Sequence, residues 1–140
     1  MYLLDTNVVS ELGRAANGRA DQNAIAWDSS TPPESKYLSV ITVMELETGV
    51  LRAARRDPAQ AKYYRQWLEN SVLPAFRGRI FDVTEPIARR CAALHVPDPK
   101  SDLDSLLAAT ALVYDMTVVT RNVRDFERTG VRILNPWLPL

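Results

Sequence analysis

The chain is poor in the residues that most often announce a function. It has 1 cysteine and 1 histidine among 140 residues. Cys91 therefore has no disulfide partner within the chain, and nothing resembles the Cys and His cluster of a zinc site. Long apolar runs are also missing: Asp, Arg or Pro interrupts every stretch well before the ~20 residues a membrane-spanning helix needs. No basic start leads into an apolar core and a small-residue cleavage site. These absences predict a soluble, cytoplasmic protein with no membrane association. Excess charge of either sign is lacking too, since 17 Lys and Arg balance 17 Asp and Glu. That argues against holding nucleic acid by bulk positive charge. It leaves room for local basic clusters, here Arg52, Arg55 and Arg56 in one segment and Arg121, Arg124 and Arg128 in another. Internal repeats and low-complexity tracts are absent.

What is present is enough apolar material, 46% of residues, for one continuous core spanning residues 1–140 as a single domain. Short β-rich runs without clean polar alternation predict strands at Tyr2–Leu4, Tyr37–Ile41, Arg79–Val83, Met116–Thr120 and Val131–Leu134. Helical patterns lie between them, at Gln22–Asp28, Val43–Arg56, Pro58–Leu73, Pro86–Leu94, Leu103–Tyr114 and Val123–Arg128. Alternation of this kind predicts an α/β fold with a mainly parallel sheet of about five strands. Ile87, Cys91 and Leu94 recur at helical spacing, which makes Cys91 a buried core thiol rather than a nucleophile. The tail from Asn135 is irregular but apolar, and its Trp137, Leu138 and Leu140 are expected to pack against the body.

The acids carry the chemical signal. Tyr2-Leu3-Leu4 is too uniformly apolar for a half-wet strand, yet it delivers Asp5 and then Thr6-Asn7, which read as a turn. Three later segments place a cap-forming residue three positions before an acid: Thr42 before Glu45, Ser101 before Asp104, and Asn122 before Asp125. Each alone is explained by helix capping, and Thr42 with Glu45 matches a full capping box. Capping does not explain their shared geography. Asp5, Glu45 and Asp125 each follow a predicted strand, and parallel strands point their carboxyl ends to one edge, where such sheets place ligands. Asp104 joins them if its helix starts at that edge. Gathered carboxylates repel one another unless a cation neutralises them, and oxygen donors select a hard ion, Mg²⁺ or Mn²⁺. Phosphate esters are the substrates such an ion serves, through water activation and charge stabilisation. His95, at the polar end of a helix, is not read as a catalytic base. Thr6 and Asn7 are candidates to fix Asp5 or a nearby water, with Ser10 and Glu11 supporting the same corner.

The stretches Leu3-Leu4-Asp5-Thr6-Asn7, SVITVME (39–45), DSLLAATA (104–111), TRNVRDF (120–126) and Asn135-Pro136-Trp137, in this order over essentially the whole chain, resemble PIN-domain proteins, and more narrowly VapC-type toxins of toxin–antitoxin pairs. The resemblance implies a three-layer α/β/α domain and a Mg²⁺- or Mn²⁺-dependent endoribonuclease. It aligns Asp5, Glu45 and Asp104 with the family's first three acids, and it selects Asp104 over neighbouring Asp102. For the fourth position it offers both Asn122, where some relatives carry Asp, and Asp125. On this reading Asp5, Glu45 and Asp104 hold the cation, Thr120 and Asn122 organise its surroundings, and Arg121 or Arg124 approaches substrate phosphate. It also implies a homodimer and a cognate antitoxin whose tail blocks the acidic cleft. Tyr63, Tyr64, Trp67 and Leu68, crowded on one helix, are a candidate sticky face. Two alternatives stay open on the residues alone: a noncatalytic nucleic-acid-binding module of the same fold, and a different metal-dependent phosphoryl-transfer enzyme.

Overall fold

The computed structural model describes all residues from 1 to 140. β1 (Tyr2–Leu4) leads at once into α1 (Thr6–Leu12), and α2 (Gln22–Ser30) returns the chain to β2 (Lys36–Ser39). α3 (Val40–Arg56) and α4 (Pro58–Trp67) form an antiparallel pair; α4 runs on through a π-helical turn at Leu68–Val72 into the short α5 (Leu73–Ala75). β3 (Ile80–Phe81), α6 (Glu85–Leu94), α7 (Asp102–Val113), β4 (Thr117–Val119), a 3₁₀ turn at Val123–Asp125 and β5 (Arg132–Leu134) complete the order. All strand pairs are parallel, and across the sheet they run β3-β2-β1-β4-β5.

Both faces of the sheet are covered. Leu4, Leu38 and Val119 face a core built with Val8, Trp27, Leu46, Val50 and Leu68, which come from α1, α2, α3 and the π-helical turn. Leu3 and Val118 face the other way, against Leu107, Ala108 and Ala111 of α7 and against Phe126. Adjacent residues of one strand thus feed opposite cores, so both must be apolar, and the sequence shows a run rather than an alternation. Cys91 is buried with Ile87 and Ala109 where α6 meets α7, the core position its spacing predicted.

Several local expectations need correction. The Thr6-Asn7 turn is instead the first turn of α1, a seven-residue helix. Its Thr, Asn and paired Val residues have low helix propensity, and burial of Val8 and Val9 offsets that. β2 ends at Ser39, not Ile41, because the Ser39 side chain accepts the Ile41 N–H and starts α3 there. Thr42 consequently lies inside the helix, fully buried, and the Thr42–Glu45 capping box does not form. The predicted helix at Val123–Arg128 is only one 3₁₀ turn. In the tail, Pro136 is buried and Trp137 half-buried, whereas Leu138 and Leu140 are exposed. No helix is long and apolar enough to cross a membrane.

Candidate active site

The strand order makes one place special. After β1 the chain moves to β2 and β3 on one side; it then crosses to β4 and β5 on the other, so β1 and β4 flank the point where the direction of winding reverses. Loops leaving two such strands diverge and open a crevice at the carboxyl edge. Asp5 and Thr120 are the residues directly beyond β1 and β4, and both are buried. Their backbones still belong to the ladder: the Asp5 N–H donates to Val119 O at 2.9 Å and the Thr120 N–H to Leu134 O at 3.0 Å.

That register brings the two side chains together. The Thr120 hydroxyl donates to Asp5 Oδ2 at 2.8 Å, Asn7 Nδ2 donates to the same oxygen at 3.2 Å, and the Thr6 N–H donates to Oδ1 at 2.8 Å. Burial nevertheless raises the Asp5 pKa; these three hydrogen bonds oppose the shift and the charge of Asp125 adds to it. Asn7 spans the crevice, accepting the Arg121 N–H on Oδ1 at 3.2 Å.

The other acids come from α3 and the 3₁₀ turn, which follow β2 and β4 and so begin at the same edge, and from α7, which leads back into β4. Glu45, in the second turn of α3, accepts the Thr6 hydroxyl on Oε1 at 2.6 Å. Asp104 lies in the first turn of α7. Its pKa is pushed up to about 6, first by burial, then by the charges of Asp125 and Asp5, with a smaller contribution from Glu45; the Ser101 hydroxyl pulls the other way. Asp125 ends the 3₁₀ turn and is exposed, yet it is the strongest charge acting on Asp104. Four carboxylates from four separate segments therefore share one electrostatic neighbourhood. No three acids, histidines or cysteines stand close enough together to enclose an ion, so the coupling acts through the field rather than through contact.

The remaining sequence candidates divide clearly. Asn122 donates its backbone N–H to the Thr120 hydroxyl at 3.0 Å, but its side chain is exposed and caps nothing. Arg121 and Arg124 are exposed. Arg121 lies 5.2 Å from the Trp137 ring, and Asn23 Nδ2 ties the Trp137 carbonyl at 2.8 Å. The tail thus supports the rim of the crevice, a role that sequence reasoning missed because irregular segments carry no periodicity. Ser10 is exposed, and Glu11 accepts the Asp21 N–H at 2.7 Å, linking α1 to the start of α2. His95 Nδ1 accepts the Lys100 N–H at 3.0 Å, within the loop before α7.

The family model of the PIN domain matches residues 2–131. The chain belongs to the PIN domain family. It is 38% identical over 144 residues to the VapC ribonuclease Y4jK of Sinorhizobium fredii, covering 99% of each chain. It superposes with a TM-score of 0.87 on the crystal structure of FitAcB from Neisseria gonorrhoeae, at 37% identity, covering 98% of this chain and 99% of that one. A toxin–antitoxin complex from Klebsiella pneumoniae matches at TM-score 0.70 and 25% identity, with all of both chains covered. The three-layer α/β/α architecture with a five-stranded parallel sheet is the fold of these relatives.

Proposed function

We propose that this PIN-domain chain is a divalent-metal-dependent endoribonuclease toxin, held inactive by a cognate antitoxin. The observation that carries the reading is the gathering of Asp5, Glu45, Asp104 and Asp125 at one sheet edge, where burial first, and then the charges of Asp125 and Asp5, push the Asp104 pKa up to about 6. Structural ion pairs would balance such charges, whereas functional sites leave them unbalanced for a ligand. The donors fit a hard cation in kind, being carboxylate oxygens with no imidazole or thiolate among them. Similarity to a VapC ribonuclease and to a protein of a toxin–antitoxin complex supports the reading of an RNA substrate and an antitoxin partner.

Asp5 and Asp104 would hold Mg²⁺ or Mn²⁺, helped by Glu45 or by a water held by Glu45, with Asp125 at the margin, since no three of these acids stand close enough to enclose an ion. The bound ion supplies charge neutralisation at the phosphodiester and activation of water for hydrolysis. The chain's own residues supply the order. Thr120, Thr6 and Asn7 hold Asp5 in one rotamer through its three hydrogen bonds. The Thr6 hydroxyl holds Glu45. Such prepayment of orientation is what a reacting geometry needs. The exposed Arg121 guanidinium, propped against Trp137, would be available to an RNA phosphate.

The test is cleavage of a mixed RNA pool by the purified protein, with and without chelator and with Mg²⁺ or Mn²⁺ restored. Single-stranded DNA and phosphomonoesters serve as competing substrate classes. RNA scission should dominate and should disappear in Asp5→Asn and Asp104→Asn while circular dichroism stays unchanged. Equal cleavage by parent and variants, or release of inorganic phosphate from monoesters alone, would overturn the assignment. The same preparation should scatter light as a homodimer at micromolar concentration, and its cleavage should stop when the antitoxin is added.

A further inference from the structure

A second feature begins where the acids end. Thr6 and Glu45 also line a cleft of about 740 Å³ that runs away from the carboxylates between α1, the segment following it, α3 and α4. Its walls bring together Arg14, Arg19 and Arg56, and Glu45, at the acid end, is the one carboxylate among its lining residues. The chain as a whole carries no net charge, so this concentration of guanidinium groups is local. Arg19 and Arg56 belong to no ion pair, and the one contact of Arg14, to Glu11 at 3.7 Å, involves a carboxylate already engaged by the Asp21 N–H.

The opposite wall is aromatic. Tyr63 is 54% exposed, with its ring edge-on to Tyr64 at 6.0 Å; the Tyr64 hydroxyl accepts Gln60 Nε2 at 3.0 Å, which fixes that ring. Gly49 also lines the cleft, exposed on α3. This glycine lies in the middle of α3, where an alanine would favour the helix, and a Cβ built there meets no atom within 4 Å.

We infer that this cleft is the binding track for single-stranded RNA leading to the scissile phosphate, with Arg14, Arg19 and Arg56 on the phosphates and Tyr63 stacking on a base. Cations along a groove combined with an exposed aromatic face are what a flexible polyanion with splayed bases requires. The inference rests on the ribonuclease reading and extends it to where the substrate lies. It also accounts for how a protein of zero net charge holds a polyanion beside four carboxylates: attraction is displaced along the groove, away from the acids that need a cation first.

The experiment measures binding of a fluorescein-labelled single-stranded RNA to the full-length chain carrying Asp5→Asn, alongside cleavage by the same substitutions in the active protein. Arg19→Ala and Arg56→Ala should each weaken binding and reduce the slope of log affinity against log salt by about 0.7. Tyr63→Leu should weaken it roughly tenfold. Gly49→Leu places a side chain in the cleft from an exposed helix position where a Cβ meets no atom within 4 Å, so its circular dichroism should match the parent while RNA affinity falls. Arg77→Ala, at the opposite edge of the sheet, should change nothing. Unchanged RNA affinity in the Arg, Tyr63 and Gly49 variants, with RNA still cleaved by the parent, would overturn the track and leave the ribonuclease standing. Normal RNA binding with loss of inhibition by the antitoxin would also overturn it, assigning the cleft to the protein partner. A parent that cleaves no RNA would remove the ribonuclease reading and this inference with it.

Discussion

Replacing Asp104 by Asn should make the metal-free protein more stable while abolishing its activity. In the fold the Asp104 pKa is pushed up to about 6 from its ordinary 3.8, first by burial and then by neighbouring charge, so its ionised form is disfavoured by at most about 3 kcal/mol. The side chain is only half-buried, and solvent screening reduces the usable part to about 1 kcal/mol. For a group whose folded pKa is raised, stability is fully present below the unfolded value and is lost as pH rises through the folded one. Between 3.8 and about 6 the parent therefore loses stability that the variant, with no proton to release, retains. Urea unfolding followed by tryptophan fluorescence, with chelator present, should show Asp104→Asn more stable by about 1 kcal/mol near neutral pH, or about 3 °C in Tm. The gap should close toward pH 4. Adding Mg²⁺ should then stabilise the parent by mass action and the variant far less. A variant less stable than the parent in chelator, or a gap that ignores pH, would refute the claim that burying the Asp104 carboxylate beside the other acids opposes folding.

Asp125→Asn should slow RNA cleavage more than Asn122→Ala once rates are corrected for folded fraction, because the Asp125 charge acts on Asp104 while Asn122 contributes its backbone N–H, which alanine keeps; metal-titrated rates decide this, and a defect confined to Asn122 would reverse the assignment. Gly13→Ala should destabilise the fold by about 1–3 kcal/mol in thermal unfolding, since its Cβ would stand 2.6 Å from the Trp67 ring; a Tm equal to that of the parent would show that Trp67 swings freely into the cleft.

Much of the architecture was legible before any coordinates. Apolar runs such as Tyr2-Leu3-Leu4 and Val118-Val119 mark strands covered on both faces, and their alternation with helical patterns dictates parallel pairing. Asp5 at the end of the first run, and acids near the starts of later helices, followed from local sequence, as did the buried Cys91. The errors cluster where tertiary forces override local preference. α1 was hidden because Val8 and Val9 are poor helix formers held helical by burial, and the start of α3 was hidden because Val40 and Ile41 look like strand.

What the sequence determined by itself was therefore the inventory: which segments are strand or helix, and which of them end in a carboxylate. Only the tertiary structure decided the order β3-β2-β1-β4-β5, which puts β1 beside β4 and lets Thr120 reach Asp5 across 115 positions of chain. It also decided that Thr6 would hold Glu45, that Trp137 would stand under Arg121, and that Arg14, Arg19, Arg56 and Tyr63 would face one cleft. Residue spacing reports periodicity within one element, whereas a site at a switch point is made by elements whose proximity depends on which strands pair. That choice is set by burial summed over the whole sheet, to which no single segment holds the answer.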